Sequence, residues 1–467
     1  MKIFYSLYLI LLSIIISGCK DYYTKQLIVE SDIQHPIIFK NVNIFNGKDS
    51  LLLLDKDVVV DKGVVKTITE NFIVANDDEY HIINGKGKTI MPGMIDAHVH
   101  LSGSGAVPWK NVKTNEAYNL EAYLHSGITT VYDLGGMASD IKDLSRKVEH
   151  RKIIGPTVYH THIPITVKNG HPIPLTKEVL KWPLRSFVNT LAPTIEKVED
   201  VEETITKYLK NNVDYVKIIY DQIPPGAPEM TFEVLKALID EVHEKGYKVF
   251  VHIGSPQNAV DAVNAGADIL AHGIWRGKLT AEEANTIAQS KVPVIYTLAA
   301  FINVNAINKG QFYPKSRDTL VVPKIILDPV MGKNGLDVES QEAMNAFFDD
   351  VTDKNEYLLH NFKLLKERNV QMILGTDSSL PGTYAGSTYL QEIDALKAYG
   401  LSNFDILAGG TYHASRLFLE DPDFGSIEPG KKANLLLIDG NPLENIGLIK
   451  SPVTIVMNGI IIEKLDD

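Results

Sequence analysis

Apolar and polar positions alternate along this chain in two distinct styles. From residue 36 to about 90, short apolar runs such as Ile37-Ile38-Phe39, Val58-Val59-Val60 and Ile82-Ile83 are separated by turn residues such as Asn46-Gly47, Lys62-Gly63 and Asn84-Gly85. Runs of this kind are hairpin signals and predict an all-β unit. The same style returns at 433–442 and 453–459, so the two ends, 35–90 and 418–465, are expected to build one small β-sandwich. Between them, residues 91–417 alternate strand-like and helix-like patterns. Strand candidates fall at 93–100, 127–133, 155–165, 215–219, 248–253, 267–272, 292–298 and 372–377, with helical stretches such as 201–209, 231–244 and 339–367 among them. Such alternation predicts a parallel sheet with helical crossovers. Eight repeats close a (β/α)8 TIM barrel, whose active site lies at the C-terminal ends of its strands. The fold class is therefore α/β, a barrel with an appended β-sandwich. Residues 299–339 are longer than an ordinary connection and rich in Asn, Gly and Pro, which reads either as a lid or binding loop or as a surface excursion or oligomer contact.

The chemistry sits at those strand ends. Residues two apart on a strand share a face, so an apolar run ending in His98-Val99-His100 delivers two imidazoles to one place. Alone, such a pair is as readily a hydrogen-bonded core or surface feature. Four further apolar runs, however, carry Lys217, His252, His272 and Asp377 at or near their ends. Four histidines and a carboxylate at a barrel mouth suit a divalent transition metal, with zinc, nickel, cobalt or iron favoured over magnesium or calcium. Taken by itself, Lys217 would be read as salt-bridged or solvent-reaching. Flanked by Val216 and Ile218 and placed beside two cations, its ammonium would be destabilised and its neutral amine free to take up carbon dioxide. The resulting carbamate has two oxygens with which to bridge two metals.

The N-terminus changes the expected location. Lys2, an apolar run over residues 3–16 and Ile16-Ser17-Gly18-Cys19 read as a secretory signal over 1–18, resembling a bacterial lipobox with lipidation of Cys19. The alternative is an uncleaved membrane anchor. Residues 19–34 would form a lipidated tether, placing the protein on the bacterial cell envelope with a soluble domain outside the cytoplasm. Cys19 is the only cysteine among 467 residues, which excludes a disulfide within the chain. A formal charge of −12 without clustered Lys and Arg argues against a nucleic-acid partner. A homo-oligomer is compatible with the sequence.

From about Pro36 onward the chain resembles the amidohydrolase superfamily. Gly-Met-Ile-Asp-Ala-His-Val-His at 93–100 is similar to its first-strand signature, and Gly-Ile-Thr-Thr-Val at 127–131 to its second strand. Thr-Tyr-His-Ala-Ser at 411–415, the Gly425–Ala433 stretch and Asp-Gly-Asn-Pro at 439–442 resemble the return into the sandwich, with Asn434 standing where many relatives carry aspartate. The resemblance implies two divalent metals, zinc first among the candidates. His98 and His100 would hold one, His252 and His272 the other, carboxylated Lys217 would bridge them, and Asp377 would contact the first metal. It further implies hydrolysis of a C–N bond through a metal-bridging hydroxide whose proton Asp377 takes up and passes on. A small amide is the expected substrate, an Xaa-Pro dipeptide or acylated amino acid first. His171, in Asn-Gly-His at 169–171, resembles a Gly-Gly-His run of the prolidase-like and imidazolonepropionase-like branch and would hydrogen-bond the substrate carbonyl, or else cap a turn. Tyr220 is a second substrate-binding candidate, or a core residue. His160 and His162 are expected to be core or supporting residues, and His125 structural. The competing functions are a mononuclear deaminase or imidazolonepropionase-like cyclic-amide hydrolase, and a non-catalytic surface lipoprotein that keeps only the fold.

Overall fold

The computed structural model describes residues 23, 25–33, 35–74, 76–107, 112–179, 192–331, 355–378 and 380–465. The signal segment, Cys19, most of the tether before Lys25 and the 339–354 part of an expected helix lie outside the described residues. Among the described residues, no helix is long and apolar enough to cross a membrane.

Eight strands occupy the expected places in the middle of the chain: Met94–Val99, Ile128–Asp133, Thr157–His160, Val216–Ile219, Val249–His252, Ile269–Ala271, Val294–Tyr296 and Met372–Leu374. The first three pair in parallel, as do the last five. Two short ladders close the ring. Ile165 N–H donates to Lys217 O and Ile219 N–H to Ile165 O, both at 2.9 Å, while Asp377 N–H donates to His98 O at 2.8 Å and His100 N–H to Ser378 O at 3.1 Å. The third strand is shorter than the expected 155–165 because Pro156 and Pro164 bracket it and proline cannot donate to a ladder. At the other seam, buried Asp96 accepts from Thr376 N–H at 3.0 Å and Thr376 Oγ1 at 2.7 Å, tying the first strand to the eighth beside the candidate ligands.

The crossover helices follow from sequence in the ordinary way. Phe232–Glu244 buries Val234, Leu235, Leu238, Ile239 and Val242, one face of a 3.6-residue period, and starts at Thr231, whose side chain accepts from Val234 N–H. Pro256–Ala265 opens with a Ser255/Asn258 capping box and stops at Gly266, where φ is 101°. These stops set where the next strand begins and hence where its last residue points.

Both chain ends meet in one nine-stranded sheet. Its order is Ile28–Glu30, Ile460–Lys464, Thr454–Met457, Leu435–Ile438, Thr89–Pro92, Ile37–Ile44, Leu53–Asp61 and Val64–Thr69, with His81–Asn84 pairing alongside Ile37–Ile44. Alternate residues Ile37, Phe39, Val58, Val60, Leu435 and Leu437 pack together as its own core. Ile28–Glu30 departs from the expected polar tether: it pairs antiparallel with the last strand, and Leu27 and Ile28 are buried. Three apolar residues are too few to announce a strand without the distant partner that covers them.

The 299–331 region also departs from expectation. It is largely helical, with Leu298–Asn308, Ser316–Val321 and Lys324–Leu327 followed by a 3-10 turn at Asp328–Val330. Leu298–Asn308 is apolar around much of its circumference, so no single stripe betrays a helix in the sequence.

Candidate metal centre

The C-terminal ends of the barrel strands bring the expected ligands to one cavity of about 440 Å³, lined by His98, His100, Lys217, His252, His272 and Asp377. His98 and His100 follow from strand alternation. Gly375, just before Asp377, lets the strands approach, since a Cβ there would lie 2.9 Å from the His98 Cβ. His272 and Asp377 stand one and three residues beyond their strands with φ of 81° and 51°. The left-handed region is uncommon for residues other than glycine and costs ~1–3 kcal/mol at such positions, so the surrounding structure holds these two side chains against a local preference.

Asp377 is the centre of the group. Its Oδ1 lies 3.0 Å from His100 Nε2 and 3.4 Å from His98 Nε2, and its Oδ2 lies 4.0 Å from His272 Nδ1. His98, His100 and Asp377 each offer a ligand atom within 4.8 Å of the others. The second histidine pair adjoins the first: the His98 and His272 rings are 4.6 Å apart between centroids, and those of His252 and His272 4.5 Å. Burial would push the Asp377 carboxyl up, but His272, His100 and Lys217 outweigh it and hold it at about 2. His98, His252 and His272 are pushed well below the ordinary imidazole value, first by burial and then by neighbouring positive groups. For His100 the Asp377 carboxylate overrides burial and raises it. Three neutral imidazoles are the protonation state that metal ligation requires.

Lys217 is enclosed, and its Nζ has no hydrogen-bond partner among the described residues. Burial lowers its pKa to about 7, with only Asp377 opposing. His98 Nδ1 is similarly buried without a partner. A buried amine and a buried imidazole nitrogen left unbonded, beside a carboxylate and further imidazoles, fit a site for divalent cations, since buried polar atoms are otherwise almost always satisfied.

His171 also lines the cavity, with its ring centroid 5.1 Å from that of His252 and Nδ1 unpartnered. Burial lowers it to about 3, so it is neutral at ordinary pH. Tyr220 does not reach the site, which corrects its reading as a substrate contact. Lys217 and Ile219 share the cavity face of the fourth strand; Tyr220, an odd number of residues from Lys217, points outward and its hydroxyl donates to Asp261 Oδ2 at 3.1 Å. His160 is a core residue whose N–H donates to Asp214, and His162 Nδ1 accepts from Ala138 N–H.

Two supporting residues went unnoticed in the sequence. Asp221 Oδ2 lies 3.2 Å from His252 Nε2, while its Oδ1 accepts from Arg276 Nη1 at 2.6 Å. Gly254 leaves room for this carboxylate, because a Cβ there would meet Asp221 Oδ2 at 2.4 Å. An acid two residues after the fourth strand and an arginine four residues after His272 are the available hints. A carboxylate behind a ligating histidine fixes its ring and raises its basicity. Asp221→Asn is therefore expected to weaken metal binding by about 10–100-fold, read by competition with a metallochromic chelator, while leaving the melting temperature of the metal-free protein within a few degrees.

A parallel (β/α)8 barrel with imidazoles, a buried lysine and a carboxylate converging at its C-terminal mouth defines the class of metal-dependent barrel hydrolases. The amidohydrolase family model matches residues 89–461, and the chain belongs to that family. Ochratoxinase from Aspergillus niger is 20% identical over 445 residues, covering 88% of this chain and 82% of the fungal protein. A 5-methylthioadenosine/S-adenosylhomocysteine deaminase from Caldanaerobacter subterraneus subsp. tengcongensis is 22% identical over 438 residues, 87% of this chain and 85% of that one. Among solved structures, an Xaa-Pro dipeptidase with methionine bound in its active site superposes with a TM-score of 0.72 at 20% identity, over 91% of this chain and 99% of the other. Family membership supports a metal-dependent hydrolase acting on carbon–nitrogen bonds.

Proposed function

We propose that this protein hydrolyses an amide bond of a small molecule at a binuclear metal site built on a carboxylated Lys217. Lys217 is the observation that carries the proposal: a buried, unpartnered amine lowered to about 7 has no structural role to satisfy it, and a single-metal site has no use for a bridge. Its neutral form adds to carbon dioxide, releasing a proton and leaving an anionic carbamate whose oxygens would hold both ions. His98, His100 and Asp377 would hold one ion, His252 and His272 the other. When bound, divalent ions supply a nucleophile at neutral pH and polarise the scissile carbonyl. The residues do the rest. His171, neutral and facing the cavity, donates its ring N–H to the carbonyl oxygen. Asp377 takes up the proton of the attacking water and delivers it to the leaving nitrogen. The N-terminal segment adds a proposed site of action on the cell envelope, tethered through lipidated Cys19.

Removal of metal with a chelator is expected to abolish anilide hydrolysis, and zinc with bicarbonate to restore it. Full hydrolysis by protein shown to be metal-free would contradict the proposal.

A further inference from the structure

Away from the candidate ligands, His171 and Thr176, the described residues that line the cavity are apolar. Ile219, Trp275, Phe301, Val304, Leu380 and Pro381 lie around it, and among the described residues Lys217 is the only lysine or arginine that lines it. Arg276, next in sequence to Trp275, is turned to Asp221 and stacks on the Trp275 ring with its guanidinium carbon 4.5 Å from the centroid. The Phe301 ring stands 5.5 Å from that of Trp275 and 6.2 Å from that of His272, so the aromatic wall begins directly beside the ligands. It is also firmly held. Ala299 N–H donates to the buried carboxyl of Glu392 at 2.7 Å, and Asn303 Nδ2 donates to Gly382 O at 2.8 Å and Gln391 Oε1 at 2.9 Å. These bonds lock the Leu298–Asn308 helix to the segment that carries Leu380 and Pro381.

We infer that the site selects an uncharged amide whose scissile bond is flanked by an apolar group of aromatic size, with Phe301, Val304 and Trp275 as the specificity-determining wall. The inference rests on the hydrolase reading and departs from the dipeptide expected from the sequence. A dipeptide or acylated amino acid presents a carboxylate close to the scissile bond. Among the described residues no lysine or arginine side chain stands by Phe301 and Val304 to pair with it, so a carboxylate buried against them loses its hydration uncompensated by those residues. An aromatic ring there gains from area burial and from offset contact with Phe301 and Trp275. The cavity, at about 440 Å³, falls within the ~300–1,000 Å³ usual for small-molecule sites.

The test compares phenylacetanilide with two carboxylate-bearing relatives, N-(phenylacetyl)-4-aminobenzoate and succinanilate, on metal-loaded protein. The neutral anilide is expected to lead in kcat/KM by about a hundredfold, the scale on which an apolar pocket rejects a substrate carrying an added polar group. Phe301→Arg, shown to be folded by circular dichroism, is expected to narrow or reverse that ratio. Faster hydrolysis of either carboxylate by the wild type, or an unchanged ratio in the folded variant, would overturn the inference. Should no anilide be cleaved, the hydrolase reading is what fails, and calorimetric binding of the same three compounds to metal-free protein decides the inference. Tighter binding of phenylacetanilide sustains it; equal binding, tighter binding of a carboxylate, or no binding overturns it.

Discussion

Lys217→Ala is expected to lose at least half of the bound metal and to lower kcat/KM by more than about a hundredfold, beyond the 10–100-fold that loss of a group behind a ligand costs. The variant removes a side chain that is enclosed in the barrel mouth and whose Nζ is hydrogen-bonded to none of the described residues, so little structural stability is at stake. Indeed, the metal-free variant is expected to gain stability near neutral pH. With a folded pKa of about 7 against 10.5 unfolded, the unfolded state binds more protons between those values, so Lys217 disfavours folding fully below pH 7 and progressively less as pH rises towards 10.5. A short-chain carboxylate is expected to restore part of the activity by occupying the space of the carbamate. The same pKa sets the pH dependence of assembly. The neutral amine rises from about a tenth of the population at pH 6 to about nine-tenths at pH 8, so metal-free protein given zinc and a fixed concentration of dissolved carbon dioxide is expected to reactivate faster at pH 8. Elemental analysis, thermal melts and reactivation time courses read these outcomes. Lys217→Ala with unchanged metal and activity would remove the basis of the binuclear reading.

Asp377→Asn is expected to lower kcat by about 10²–10⁴-fold, the usual contribution of a positioned general acid–base group, with a much smaller effect on KM. Asparagine keeps the shape and one oxygen near His100 and His98 but cannot accept or deliver the proton. The carboxylate is held at about 2 in the folded protein, so it is ionised throughout the working range and ready to accept. Its stabilising contribution in metal-free protein is present above the ordinary carboxylate value and is lost as pH falls through the folded value. The variant should therefore narrow the gap in melting temperature between pH 6 and pH 3. Steady-state kinetics against phenylacetanilide, with metal content measured on the same samples, separates a lost proton acceptor from a lost ligand. A metal-replete Asp377→Asn with wild-type kcat would show that the proton moves elsewhere.

The barrel is legible because strand-like and helix-like patterns alternate eight times, five of the strand-like runs carry a distinctive residue at or near their ends, and helices carry strong caps, as at Thr231 and Ser255. Metal-ligand candidates were legible for the same reason: period-two alternation puts His98 beside His100, and strand ends at a barrel mouth converge whatever their spacing in sequence. Alternation also carries the correction for Tyr220: continued one residue past Ile219 it turns that side chain to the helices, where its hydroxyl meets Asp261. What sequence could not show depends on distant partners. Ile28–Glu30 becomes a strand only because Ile460–Lys464 covers it. Leu298–Asn308 is helical although its apolar residues wrap around it, and its N-terminus is satisfied by Glu392 from a helix 90 or so residues away. The left-handed backbone at His272 and Asp377 is likewise a property of the closed barrel rather than of either local sequence.

Metal content per chain, measured by elemental mass spectrometry on protein beginning after Cys19 and produced with zinc and bicarbonate, tests the central claim most directly. The binuclear site built on Lys217 predicts two divalent ions per chain. One ion per chain, unchanged in Lys217→Ala, would contradict it and favour a mononuclear hydrolase or deaminase held by the His98, His100 and Asp377 group.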